Sequence, residues 1–342
     1  NFPANTWGYR FDDNVDFSPI PAQSAPVNLI KTTEKPTEEE NHNIKLGMKL
    51  NSSLKPGNYE NKLIVSVVSN PYMPKAIMTE GPDFNKKLQS LLENEFVEMK
   101  YFRKSLTAPA STTNVANIEN EDSECEIKLW ADPNTESVYY YTEPEKVYLN
   151  TDSSKMFYSG YGSEKIQKFL ELDLSNFNTS QVTSMYSMFL DMFYLTTLNL
   201  SSFDTSNVTN MSYMFYGMSN LTTLNLSSFD TSKVTDMSCM FSGTPNLITL
   251  DISNFDTSQV TSMYGMFYLK DEDILKDKLE KIYVNNDFNT AKLTDFSRMF
   301  KNRKKLRGGA GSYLTDPSTA DKTWLRIDDP TNGHPGYFTR KP

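Results

Sequence analysis

Over its second half the chain repeats itself every 26 residues. Phe177, Phe203, Phe229 and Phe255 keep that step, and so do Leu172, Leu198, Leu224 and Leu250. The pairs Met188-Phe189, Met214-Phe215, Met240-Phe241 and Met266-Phe267 keep it too. One unit, Leu221 to Asn246, reads LTTLNLSSFDTSKVTDMSCMFSGTPN. Met156-Phe157 closes a diverged unit in front, and Leu279 to Phe300 is a diverged unit behind. A single unit cannot bury its apolar residues alone. Stacked units place Leu on Leu, Phe on Phe and Met on Met, so the core becomes continuous.

Each unit carries two apolar spacings. Leu221, Leu224 and Leu226 fit a short strand. Val234, Met237, Met240 and Phe241 fall at i, i+3, i+6 and i+7, which on a helix makes one stripe. Phe229-Asp230-Thr231-Ser232 joins the two with residues suited to turns and N-caps, and Gly217 and Gly243 follow as stop signals. The period lies in the range of leucine-rich repeats, although Phe replaces the usual ladder Asn. The expected fold class is therefore α+β: a leucine-rich repeat solenoid, short strand plus short helix per coil, with capping elements. A small β-sandwich-like N-terminal module is expected ahead of it.

Three segments follow. Residues 1–72 read as the β-sandwich-like module, with Ile44 to Leu50 and Leu63 to Val68 as adjacent antiparallel strands. Glu38-Glu39-Glu40 reads as a solvated loop. Residues 73–143 read as a helix plus hairpin forming the N-terminal cap: a helix from Pro82-Asp83 through Leu92, a polar loop from Ser111 to Asp122, and a hairpin turning at Asp132-Pro133-Asn134-Thr135. Residues 144–342 read as the repeat region with its C-terminal cap.

Composition narrows the function. Formal charge is -9, which argues against nucleic acid as a partner. No apolar run approaches the roughly 18 residues of a membrane span. The two histidines, His42 and His334, leave little material for a nucleophilic pair or a zinc site. The two cysteines, Cys125 and Cys239, exclude a disulfide scaffold and read as thiols. No phosphate loop, paired-carboxylate motif or zinc signature occurs. The chain reads as no enzyme, with no cofactor, no metal and no catalytic residues. It opens Asn1-Phe2-Pro3 without an initiator Met, as expected of a mature fragment.

The candidate sites lie on the repeats. Asp204, Asp230 and Asp256, with Asn178 and Asn289 in register, could offer oxygen ligands to calcium, but one acid per unit followed by Thr-Ser is a turn-capping context. The Met pairs such as Met211 and Met214 lie on the apolar stripe and read as core rather than a soft-metal site. Thr196, Thr197, Thr222, Thr223 and Thr249 form a strand surface suited to either exposure or binding. Arg298, Lys301, Arg303, Lys304, Lys305 and Arg307 read as a solvated basic cap face, with an anionic partner as the alternative. Six tyrosines vary between units: Tyr186, Tyr194, Tyr213, Tyr216, Tyr264 and Tyr268. Large rings with polar tips make effective contact surfaces, so these six are the candidate binding residues.

The unit LxxLxLSxFDTSxVTxMxxMF resembles the repeats of BspA-like leucine-rich repeat surface proteins of bacteria. The lead-in from Trp130 to Asn150 and the tail from Gly308 to Thr339 are similar to that family's flanking segments, and Thr6-Trp7-Gly8-Tyr9 and Lys55-Pro56-Gly57-Asn58-Tyr59 resemble an N-terminal module of some members. The resemblance implies a secreted, extracellular protein of the bacterial cell surface. It implies an adhesin-like binder, without catalysis, of a protein or glycan on a host or neighbouring cell. The alternative is an envelope spacer that projects other domains and has no ligand. No sorting motif or lipid-attachment Cys is present, so anchoring is expected to lie elsewhere or to be absent. Ligand identity and oligomeric state are not legible in the sequence.

Overall fold

The structure, a computed structural model, describes residues 6–11, 18–19, 44–49, 74–160 and 164–342. The chain divides into two compact units, Asn1–Met73 and Pro74–Pro342. In the first, Thr6–Phe11 is the centre of a three-stranded antiparallel sheet, flanked by Ser18–Pro19 and Ile44–Lys49. The second strand of the expected pair, residues 63–68, lies outside the described residues, as do the Glu38 to Glu40 run and His42.

The second unit opens with a short strand, Ala76–Ile77, and the helix Gly81–Glu93. Pro82 fits the first helical turn, where its missing N–H would have no partner anyway. Asp83 sits near the positive end of the helix dipole and takes Lys87 at 2.7 Å and the Thr79 hydroxyl at 2.7 Å. Phe84, Leu88, Leu91 and Leu92 form the buried face. Asn85, on the same face, donates to the carbonyls of Met156 and Tyr158 at 3.1 and 2.9 Å. Gly81 is required by close approach, since a Cβ there would stand 2.2 Å from the Ser154 carbonyl oxygen. The helix thus closes over the first repeat turn.

Beside it lies a five-stranded sheet in the order Glu171–Leu172, Tyr101–Lys104, Ser137–Tyr141, Lys128–Asp132, Val115–Asn117. The hairpin at Asp132 to Thr135 joins its two longest strands, with the Asp132 carboxylate accepting the Asn134 amide at 3.0 Å. The stretch from Ser111 to Asp122, expected as loop throughout, contributes the edge strand Val115–Asn117.

The repeat region corrects the expected fold class. Instead of an α+β leucine-rich repeat solenoid, the described strands form several small separate sheets, and none of the described repeat residues lies in an α-helix. The strands are two to four residues long, for example Thr197–Leu198 paired parallel with Thr223–Leu224, and Thr249–Asp251 with Lys281–Val284 and then Phe338–Arg340.

The backbone shows why the helix fails. Met188, Met214, Met240 and Met266 donate to Met185, Met211, Met237 and Met263, three residues back rather than four. Val182, Val208, Val234 and Val260 do the same to Thr179, Thr205, Thr231 and Thr257. In these repeats the three-residue step between apolar residues therefore marks successive tight turns. Each segment also contains a left-handed residue, Ser187, Tyr213, Cys239, Gly265 or Arg298, with φ between 53° and 60°. That conformation ends a right-handed helix. Alternate amides then point to the next repeat: Met185, Ser187 and Phe189 donate to Asn210, Ser212 and Met214 at 2.9 to 3.0 Å. Parallel bridges follow the same line, Ser184 to Asn210 to Asp236 to Ser262 to Asp295.

Side chains complete the stacking. Phe157, Phe189, Phe215, Phe241, Phe267 and Phe300 form a near-parallel column with centroids 5.2 to 6.1 Å apart. The methionines of the repeats are buried around it and pack the core.

Candidate functional site

The motif Asp-Thr-Ser is structural. The Asp204, Asp230 and Asp256 carboxylates accept the amides of Ser206, Ser232 and Ser258 at 2.8 to 3.0 Å, and Asn178 and Asn289 do likewise for Ser180 and Ala291. The buried threonine that follows ties one repeat to the next. Thr231 donates to the Asp256 carbonyl at 2.9 Å and accepts the Asp256 amide at 2.8 Å, and Thr179 and Thr205 repeat this geometry. Hydrogen bonds from serine hydroxyl and amide hold the Asp204 and Asp230 carboxyls below their ordinary range. Two further series of Asx turns recur, at Asp173, Asn199, Asn225 and Asp251 and at Asp152, Asn210, Asp236 and Asp295; Ser184 and Ser262 take the second position in their repeats, each hydroxyl accepting an amide at 3.4 Å. Among the described residues no group of three metal-binding side chains occurs.

The variable tyrosines lie on the turn edge of the repeats. Tyr186 meets Tyr213 edge-on at 6.0 Å, and Tyr213 meets Tyr216 at 5.6 Å. Tyr264 repeats the position of Tyr186 three units on, and Tyr268 that of Tyr216 two units on. All five are half-buried. The sixth, Tyr194, belongs to a different place: it is exposed and pairs with Lys168, whose ammonium stands 4.8 Å from its ring centroid.

Cations attend the same edge. Lys155 stands 5.6 Å from the Tyr186 centroid, Lys270 5.7 Å from Tyr216, and Lys301 5.6 Å from Tyr268. Arg298 donates to the Tyr264 hydroxyl at 3.2 Å. Burial raises the Tyr213 and Tyr216 phenols above their ordinary range. The Cys239 thiol beside Tyr213 is buried and raised above the ordinary thiol range, mainly by desolvation.

Three residues here were missed or misread in the sequence. Tyr158 joins the edge through Lys155 at 5.7 Å. Asp191 holds a left-handed conformation, φ 61°, where the following repeats have Gly217 and Gly243. Its Oδ1 is buried without a hydrogen-bond partner, and desolvation pushes the carboxyl up to about 6 against the pull of Lys270. An acid where its sisters are glycine was the available signal. Arg303, counted in the basic cap face, is fully buried. Of the rest of that cluster, Arg298, Lys304 and Lys305 are exposed and Lys301 and Arg307 half-buried. Of the two histidines, His334 is exposed in a loop.

A family model described as "Mycoplasma protein of unknown function, DUF285" matches residues 150–225 and again 217–326, more than half of the chain together. The chain belongs to the DUF285 family. The paired matches fall on the tandem repeats, so DUF285 here denotes the stacked-turn region with its tyrosine edge. No curated protein and no solved structure matches. No helix among the described residues is long and apolar enough to cross a membrane.

Proposed function

We propose that this DUF285 member is a non-catalytic, BspA-like binding protein of the bacterial cell surface, adhesin-like and extracellular. It recognises a protein or glycan on a host or neighbouring cell. The observation that carries this reading is the continuous contact of Tyr186, Tyr213 and Tyr216 with cations on either side. The stacked turns hold these rings half-buried, so their conformational freedom is already reduced before a partner arrives, as suits contact residues. The likeness of the repeats to surface proteins supports the location.

The test is attachment of the purified chain to cell monolayers and to a glycan array, with Tyr213→Ser/Tyr216→Ser alongside. Saturable attachment that falls at least tenfold in the double variant, with thermal unfolding intact, is the expected result. Undiminished attachment by the variant would remove the tyrosine edge from the proposal. Absence of any saturable partner for the parent chain would favour the spacer.

A further inference from the structure

The end of the chain builds a cleft of about 550 Å³ that neither the repeats nor the tyrosine edge uses. Its walls carry Arg326, Arg340, His334, Asp287 and Thr339, with Gly309 as part of the floor. The volume lies in the range of small-ligand sites. The polar groups divide sharply into occupied and open ones. Asp328 is occupied: it accepts the amides of Ala310 and Ser312 at 2.9 Å and of Gly336 at 3.2 Å. Asp329 is occupied as well, holding Thr331 and Asn332 at 2.8 Å each. The arginines are open. Arg326 uses only Nε, on the Pro335 carbonyl at 2.9 Å, and Arg340 only Nη1, on the Asn285 carbonyl at 3.1 Å. Asp287 uses one oxygen, on the Ile327 amide at 2.8 Å. The Thr339 hydroxyl is buried with no hydrogen-bond partner.

We propose that this cleft binds an acidic sugar unit. Arg326 and Arg340 line the same cleft, and their unbonded guanidinium nitrogens match the paired oxygens of a carboxylate. The second oxygen of Asp287 accepts a ring hydroxyl. A ligand with both an anion and several hydroxyls satisfies donors and acceptors together, which an inorganic anion does not. The site is independent of the tyrosine edge.

Calorimetric titration of the full chain with glucuronate, glucose, acetate and inorganic phosphate tests this. Glucuronate should bind saturably, and at least tenfold more tightly than each of the other three. Arg340→Gln and Asp287→Asn should each weaken glucuronate at least fivefold while the unfolding temperature stays within a few degrees of the parent's. Glucose binding as tightly as glucuronate overturns the role of the arginines. Phosphate or acetate binding as tightly overturns the sugar assignment, and no glucuronate binding overturns the site. Since both variants keep the tyrosines, failure here leaves cell attachment unaffected and is read separately from it.

Discussion

Arg303 and Asp277 hold each other at 2.9 Å with neither side chain exposed to solvent. The guanidinium also reaches back to the carbonyls of Phe267, Thr244 and Phe241 and to the Thr244 hydroxyl. One side chain thereby fastens the last regular repeats to the diverged one. Burial lowers the arginine's pKa and Asp277 opposes that. Asp277→Asn keeps the shape and leaves a buried charge uncompensated, so chemical denaturation should show a loss of about 3–5 kcal/mol. A loss below about 1 kcal/mol would mean that the carbonyls alone carry the charge.

Asp191 gives a pH dependence of definite sign. Its carboxyl titrates at about 6 in the folded chain against an ordinary 3.8. The fold therefore favours the protonated form, and this contribution to stability is lost as pH rises from about 4 through about 6. Asp191→Asn removes the dependence, and Asp191→Gly also relieves the left-handed backbone. Solvent reaches part of the carboxyl, so the gain at pH 7 is held to about 1 kcal/mol. Thermal melts across pH 4 to 7 check it: parallel curves for parent and variant would contradict the assignment.

The threonines separate into two classes that look alike in sequence. Thr231 is buried and serves both backbone groups of Asp256, whereas Thr235 is exposed and only donates to Thr209. Thr231→Val should destabilise by about 1–3 kcal/mol because two part-buried backbone groups lose their partner. Thr235→Val should stay within about 0.5 kcal/mol. Urea unfolding of the two variants distinguishes them, and equal effects would refute the distinction.

The centre of the phenylalanine column offers the plainest packing test. Phe215 lies between Phe189 at 6.1 Å and Phe241 at 5.8 Å. Phe215→Ala should cost about 3–5 kcal/mol through lost burial and the cavity left behind. Cys239, buried beside Tyr213 with its thiol raised, should react with a thiol reagent at neutral pH only when the repeats unfold. Rapid labelling of the native chain at that residue would show the edge to be open.

Much of the packing was legible because it depends on side-chain type. Leu, Met and Phe recurring at a fixed step announce buried rows, and Asp before Thr-Ser announces a turn. The helix was not legible as absent, because a spacing of three suits a row of turns as well as a helix. What excludes the helix is a left-handed residue in each unit, and Ser187, Tyr213, Cys239 and Arg298 conceal that position where only Gly265 reveals it. Arg303 was misplaced for a related reason: its burial depends on Asp277 in the inserted segment ahead of the last unit, which the repeat alignment leaves out.

The threonine bridges also set how the repeats would respond to force. The bonds from Thr179, Thr205 and Thr231 run from one repeat to the next, along the direction in which the repeats stack. Tension along that direction passes through every interface in series, so the weakest opens first rather than all of them shearing together. Held at its two ends, the repeat region should lengthen in small, similar steps.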